Sequence, residues 1–134
     1  MKAVFDTNVF VAAFVTEGIC SKLLIRGRKR DFDLIACPVI LKEFEQVLIK
    51  KFSATRNEAW DALRLISEAL SSMVSLSQRV DGICRDREDD AILACALSAG
   101  ADYLVTGDTD LLELGTFKGI KIITPRDFEL LFND

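Results

Sequence analysis

Four acidic residues, Asp6, Glu43, Asp90 and Asp108, each stand just past an apolar strand-like segment or in the helix that follows one. In an open α/β sheet, ligands gather beyond the carboxyl ends of the strands. Parallel strands share that edge, so the spacing predicts that the four carboxylates meet. Carboxylates crowded into one cleft repel unless some are protonated or a cation lies among them. The chain has no histidine, and its four cysteines form no C-x-x-C pair. That excludes Ser-His-Asp and Cys-His catalysis and His-bearing zinc sites. The remaining donors are hard oxygens, which suit Mg²⁺ or Mn²⁺. A cation held this way can bind a phosphate oxygen and lower the pKa of a bound water for attack on phosphorus.

The elements that must deliver these acids are readable in turn. Asp6 sits in MKAVFDTNVFVAAF, a strand over Lys2–Phe5 followed by an apolar helix from Asn8 to Phe14. Thr7 or Asn8 as a helix cap explains those two residues equally well, but leaves Asp6 without a role. The strand over residues 32–37 ends at Pro38, which suits the first position of a helix over 38–51. Ile40, Phe44, Val47 and Leu48 form its apolar stripe, with Glu43 on the border. A solvated helix glutamate is the ordinary reading of Glu43. The run Arg85-Asp86-Arg87-Glu88-Asp89-Asp90 precedes AILACAL, a helix apolar on every face. Asp86 suits its cap, and the helix dipole favours acids in the first turn. Neither accounts for Asp90, the last acid before the buried run, whose desolvation needs a cation or donors. After a strand over residues 103–106, Gly107-Asp108-Thr109-Asp110 repeats the pattern of Asp6. Its ordinary reading is a turn and a cap for a short helix over 111–114.

The rest of the chain builds the frame. Ser21 suits the cap of a helix over 22–30, which ends in Arg26, Arg28, Lys29 and Arg30. Cations there complement the dipole; the functional alternative is a patch for phosphates or a partner. Thr55 and Glu58 have capping-box spacing at the start of a helix over 53–72, with Ala59, Leu63, Ile66 and Leu70 inward and Trp60 beside them. This makes an αα-hairpin whose spare apolar surface is expected to pack on a second subunit. A strand over 73–76, a turn over 115–119, a strand over Ile120–Ile123 and a closing helix over 128–132 capped by Thr124 complete the reading. The 134 residues suffice for one domain, 1–134, with no linker or repeat. No apolar run reaches membrane-span length and MKAVFD does not open a signal peptide, so a cytoplasmic protein with no membrane contact is expected. Cys20, Cys37, Cys84 and Cys95 lie in apolar segments and are expected to be reduced, buried hydrophobes. The net charge of −4 means that a nucleic acid is not drawn by the overall field. It needs a local basic patch or screening metal ions.

The chain resembles the PIN-domain nucleases, in the prokaryotic branch described as toxin components of toxin–antitoxin systems. The resemblance rests on FDTNVFVAAF, the acid in ILKEFEQVL, CRDREDDAILACALSAGADYLVTGDTDLL and IKIITPRDF, in that order along essentially the whole chain. It implies a three-layer α/β/α sandwich with a central parallel sheet of about five strands. It also implies metal-dependent cleavage of single-stranded RNA to a 3′-hydroxyl and a 5′-phosphate, with a cognate antitoxin and a homodimer as partners. By position, Asp6, Glu43, Asp90 and Asp108 are the metal-binding acids. Asn8 and Thr106 orient them, Asp86 and Asp89 are outer acids, and Asp110 substitutes for Asp108 or binds a second ion. Arg26, Arg28, Lys29 and Arg30, with Lys50 and Lys51, are candidates to track RNA or dock an acidic partner.

Three rival readings stand beside it. FDTN and GDTD imitate a haloacid-dehalogenase-like phosphatase with Asp6 as nucleophile, but the acid–base position is Asn8, which cannot shuttle a proton. A receiver-like phosphoacceptor lacks its paired acids, since Asp6 follows Phe5. A non-catalytic scaffold that binds RNA or a partner is the third.

Overall fold

The structure, a computed structural model, describes residues 1–132. Three short apolar segments form the centre of its sheet: β1 (Lys2–Phe5), β2 (Asp33–Ala36) and β4 (Tyr103–Val105). Each is buried over all or most of its length, as strands covered on both faces must be. The sheet order is β3-β2-β1-β4-β6-β5, with β3 at Ser72–Met73, β5 at Thr116–Phe117 and β6 at Ile120–Ile123. All pairings are parallel except β5 with β6. Among the described residues the sheet therefore has six strands rather than about five. The expected turn over 115–119 is a small hairpin, in which Lys118 and Gly119 take positive φ.

Helices α1 (Thr7–Val15), α2 (Ile19–Arg28), α3 (Pro38–Phe52), α4 (Arg56–Ala69), α5 (Arg87–Ser98), α6 (Thr109–Leu114) and α7 (Pro125–Glu129) complete the sandwich. Several local signals act as read. Thr55 and Glu58 close a reciprocal capping box on α4. Thr124 caps α7 and Pro38 opens α3. Others do not. α2 starts at Ile19, three residues before the expected start, and the Ser21 hydroxyl donates to the carbonyls of Ala13 and Thr16 instead of capping it. The third strand has only two residues, and 74–86 run as an irregular loop.

The core joins both faces of the sheet. Phe5 is in ring contact with Phe10, Phe32 and Phe128, and Phe10 with Phe44. The four cysteines are not all reduced. Cys37 and Cys95 are fully buried, but they are joined as a disulfide between the residue preceding α3 and the middle of α5. Cys20 and Cys84 are free. Among the described residues no single helix is long and apolar enough to cross a membrane; α1 and α2 pass such a test only as a pair bent by 104°.

Candidate active site

The connections from β1 run through β2 to β3 on one side, and β4 lies against β1 on the other. The topology reverses at β1 and β4, which is where ligand crevices form in such sheets. In register Phe5 pairs with Val105, and the Asp6 amide donates to the Val105 carbonyl at 2.9 Å. Asp6 and Thr106 therefore emerge side by side, one residue past the paired ends. Both are buried. The Thr106 hydroxyl donates to Asp6 Oδ2 at 2.7 Å and accepts from the Asp108 amide at 3.0 Å. One hydroxyl thus ties together the acids that follow β1 and β4.

Asp6 occupies the cap position of α1 but makes no side-chain capping bond, and neither Thr7 nor Asn8 caps the helix. Its carboxyl is raised from the ordinary value by burial, opposed by the Thr106 hydroxyl and the Thr7 amide, and raised further by Asp108. Glu43, half-buried on α3, is raised by burial and by the charges of Glu88, Asp6 and Asp86. The buried Thr7 hydroxyl lies beside Glu43 and holds its carboxyl down against these effects.

The two neighbouring acids of α5 take different places. Asp89 and Asp90 both lie in the first turn of α5 and both are buried. Asp89 faces the site: burial and the charges of Asp108, Asp6, Asp86 and Asp110 push its carboxyl up to about 6. Oxygens of Asp89, Asp108 and Asp110 lie within 4.8 Å of one another. The Asp90 carboxylate turns the other way and accepts from the amides of Gly82 and Cys84 at 3.0 and 2.9 Å. The reason is helical geometry. Consecutive residues are about 100° apart around the axis, so only one of the pair can face the sheet edge. The chain before α5 supplies Asp90 with amide donors, the compensation that a buried carboxylate needs. Because α5 is buried on nearly every side, no apolar stripe in the sequence orients it.

The other expected participants divide. Asp110 joins the cluster, while its amide donates to Asp108 Oδ1 at 2.8 Å. Asp86 caps α5 by accepting from the Glu88 amide. Asn8 is exposed and shares a groove with Glu43, Gln46, Lys50 and Lys51. A larger cavity of about 720 Å³ lies under the 74–86 loop and shares only Asp90 with the expected quartet.

The cations read as a substrate patch lie elsewhere. Arg26 makes a bidentate contact with Glu129, bridges to Asp31 and stacks over Phe132. Arg30 donates to the carbonyls of Gly27, Ala69 and Leu70, tying the ends of α2 and α4. Arg28 reaches Glu68 at 3.8 Å, and Lys29 is exposed. This cluster precedes β2, at the amino end of the parallel strands, and the acids stand at the carboxyl end.

The donor set fits a divalent cation. Asp6, Glu43, Asp89, Asp108 and Asp110 offer hard oxygens, and among the described residues no lysine or arginine forms an ion pair with any of them. Carboxylates crowded and part-buried here, with charges that raise one another, are surroundings that a cation relieves.

Comparison with known proteins agrees with this geometry. A chain in the crystal structure of VapBC2 from Rickettsia felis bound to a DNA fragment from their promoter superposes with a TM-score of 0.68 at 14% identity, over 92% of this chain and 98% of that one. At that identity the likeness speaks for the fold. Curated protein sequences give no significant match. The family profile described as PIN domain matches residues 2–110, which contain every acid of the cluster. The chain therefore belongs to the PIN-domain family of nucleases.

Proposed function

We propose that this chain is a Mg²⁺- or Mn²⁺-dependent endoribonuclease that hydrolyses single-stranded RNA, acting as the toxin of a toxin–antitoxin pair. The observation that carries the reading is the clustering of Asp89, Asp108 and Asp110 at the β1–β4 switch point, with Asp6 tied to Asp108 through Thr106; Glu43 feels the charge of Asp6 from α3. In this proposal Asp89 takes the ligand position expected of Asp90, and Asp90 holds the loop before α5. Asp110 is the neighbouring acid available to a second ion. A divalent cation held by these acids would supply Lewis acidity toward a phosphate oxygen and would lower the pKa of water, so that hydroxide is available to attack phosphorus.

The protein's share is positioning. Thr106 fixes one oxygen of Asp6 and the amide of Asp108, so the acids after β1 and β4 move as one unit. The Thr7 hydroxyl stands beside Glu43 and favours its ionised form. Hydrolysis breaks one phosphorus–oxygen bond and leaves a 3′-hydroxyl and a 5′-phosphate.

The toxin role draws support from the likeness to the VapBC2 chain. Phosphatase chemistry on Asp6 is disfavoured by the family match and by burial of its carboxyl, hydrogen-bonded to Thr106.

The test is cleavage of single-stranded RNA with Mg²⁺, with Mn²⁺ and in EDTA, for the parent protein and Asp6→Asn. The parent is expected to cleave only with a divalent cation, and Asp6→Asn is expected to lose at least about a hundredfold while keeping its circular dichroism spectrum. Equal rates for the two proteins would remove Asp6 from the reaction. RNA binding without cation-stimulated cleavage would favour a scaffold. Growth arrest on expression, relieved by the product of an adjacent small gene, checks the toxin role.

A further inference from the structure

We propose that the groove from Glu43 to Lys50 and Lys51 binds the phosphodiester backbone of the RNA beside the cleaved bond, an inference that rests on the nuclease reading above. Glu43, Gln46, Val47 and Lys50 follow one another on α3 at i, i+3, i+4 and i+7, so they share one helix face. With Asn8, Lys51 and Glu88 they line a groove of about 300 Å³. Glu43, which feels the charge of Asp6, joins this groove to the acidic site. Lys50 lies seven residues further on, about 10 Å along the axis at 1.5 Å per residue. That places its charge next to the reacting phosphate and not on it.

Both lysines are exposed, and among the described residues neither makes an ion pair or a side-chain hydrogen bond. The helix dipole favours lysines in the last turn of α3. It does not account for their sharing a groove with a metal-binding acid. The other basic cluster, Arg26 to Arg30, is largely committed to Glu129, Asp31, Glu68 and the ends of α2 and α4, at the opposite sheet edge. On a chain with net charge −4, backbone phosphates need a local cationic surface. Lys50 and Lys51 provide it where a strand leaving the acids would pass. Gln46, exposed between the two ends, offers an amide donor and acceptor to a ribose hydroxyl.

The test is fluorescence anisotropy of a labelled single-stranded RNA across a salt series, with Lys50→Gln/Lys51→Gln compared with Arg28→Gln/Lys29→Gln in the full chain, in EDTA. The lysine pair variant is expected to bind about tenfold more weakly at moderate salt. Its plot of log affinity against log salt is expected to be shallower by about 1.4, roughly 0.7 for each single-strand phosphate that is no longer neutralised. The Arg28/Lys29 variant is expected to match the parent within about twofold. In cleavage, the lysine variant is expected to raise KM with kcat little changed. Lys50→Glu/Lys51→Glu, checked for native circular dichroism, is expected to weaken binding further. Unchanged affinity and salt slope in the lysine variants, with cation-dependent cleavage intact in the parent, overturn the subsite and leave the nuclease reading standing. A parent that binds no RNA and cleaves none overturns both.

Discussion

Among single residues, the site depends on where two adjacent aspartates point. Asp89 faces Asp6, Asp108 and Asp110, and its carboxyl is pushed from 3.8 up to about 6. Between about pH 4 and pH 6 the metal-free folded state then holds a proton that the unfolded chain has released. Below about pH 4 both states are protonated and the contribution is fully present; it is lost as pH rises through about 6. Asp89→Asn is therefore expected to raise the Tm in EDTA at pH 7, with less effect at pH 4.5. With saturating Mn²⁺ the order should reverse, because the parent gains binding energy that the variant lacks. The same proton competes with the cation, so apparent Mn²⁺ affinity should rise between pH 5 and pH 7.5, and less so in Asp89→Asn. Calorimetric titration checks both; a variant with parental Mn²⁺ affinity would take Asp89 out of the centre.

Among the elements, the 74–86 loop and the α2–α4 junction are each held by very few side chains. The loop is pinned to α5 where Asp90 accepts from Gly82 and Cys84, and where the Ser98 hydroxyl accepts from the amides of Ser77 and Gln78. Leaving a partly buried amide unmade costs about 1–3 kcal/mol. Asp90→Ala is expected to lose protection from hydrogen exchange at residues 82–84 and to lower the Tm, the opposite sign from Asp89→Asn in EDTA. If both variants behaved alike, the division of roles between the neighbours would be wrong. Arg30 offers a parallel case. Its guanidinium holds carbonyls of Gly27, Ala69 and Leu70 while its own backbone sits at φ 64°. Arg30→Ala is expected to destabilise by about 1.5–3 kcal/mol in urea titration, because its hydrogen bonds come from a charged donor. Cleavage per folded molecule should stay near parental, which separates a structural arginine from an RNA-binding one.

Across the full chain, the αα-hairpin presents apolar surface that the core does not use. Trp60 is 57% exposed and Phe52 50%, with Val39 and Ile49 also exposed on α3. A homodimer through this face is expected, with a light-scattering mass near twice the 14.9 kDa of one chain. Trp60→Glu should shift that mass to one chain without loss of secondary structure. A parent that runs as a monomer at high micromolar concentration would refute the dimer. The disulfide between Cys37 and Cys95 ties the start of α3, the helix of Glu43, to α5, the helix of Asp89.

The α/β order, the parallel centre and the edge at which the acids gather were all legible in the amino-acid order. Strand identity follows from short apolar runs, and a parallel sheet aligns their carboxyl ends without further information. Caps at Thr55, Asp86 and Thr124 were legible because they depend on neighbours within three residues. The rotation of α5 was not legible, since a helix buried on nearly every side carries no amphipathic mark. Packing alone determined that Asp89 enters the site and that Asp90 binds the loop. The same holds for Cys37 with Cys95, separated by 58 residues, and for the fate of the two basic clusters. Charge is written in the sequence; which carboxylate, carbonyl or groove it meets is fixed by elements brought together from distant parts of the chain.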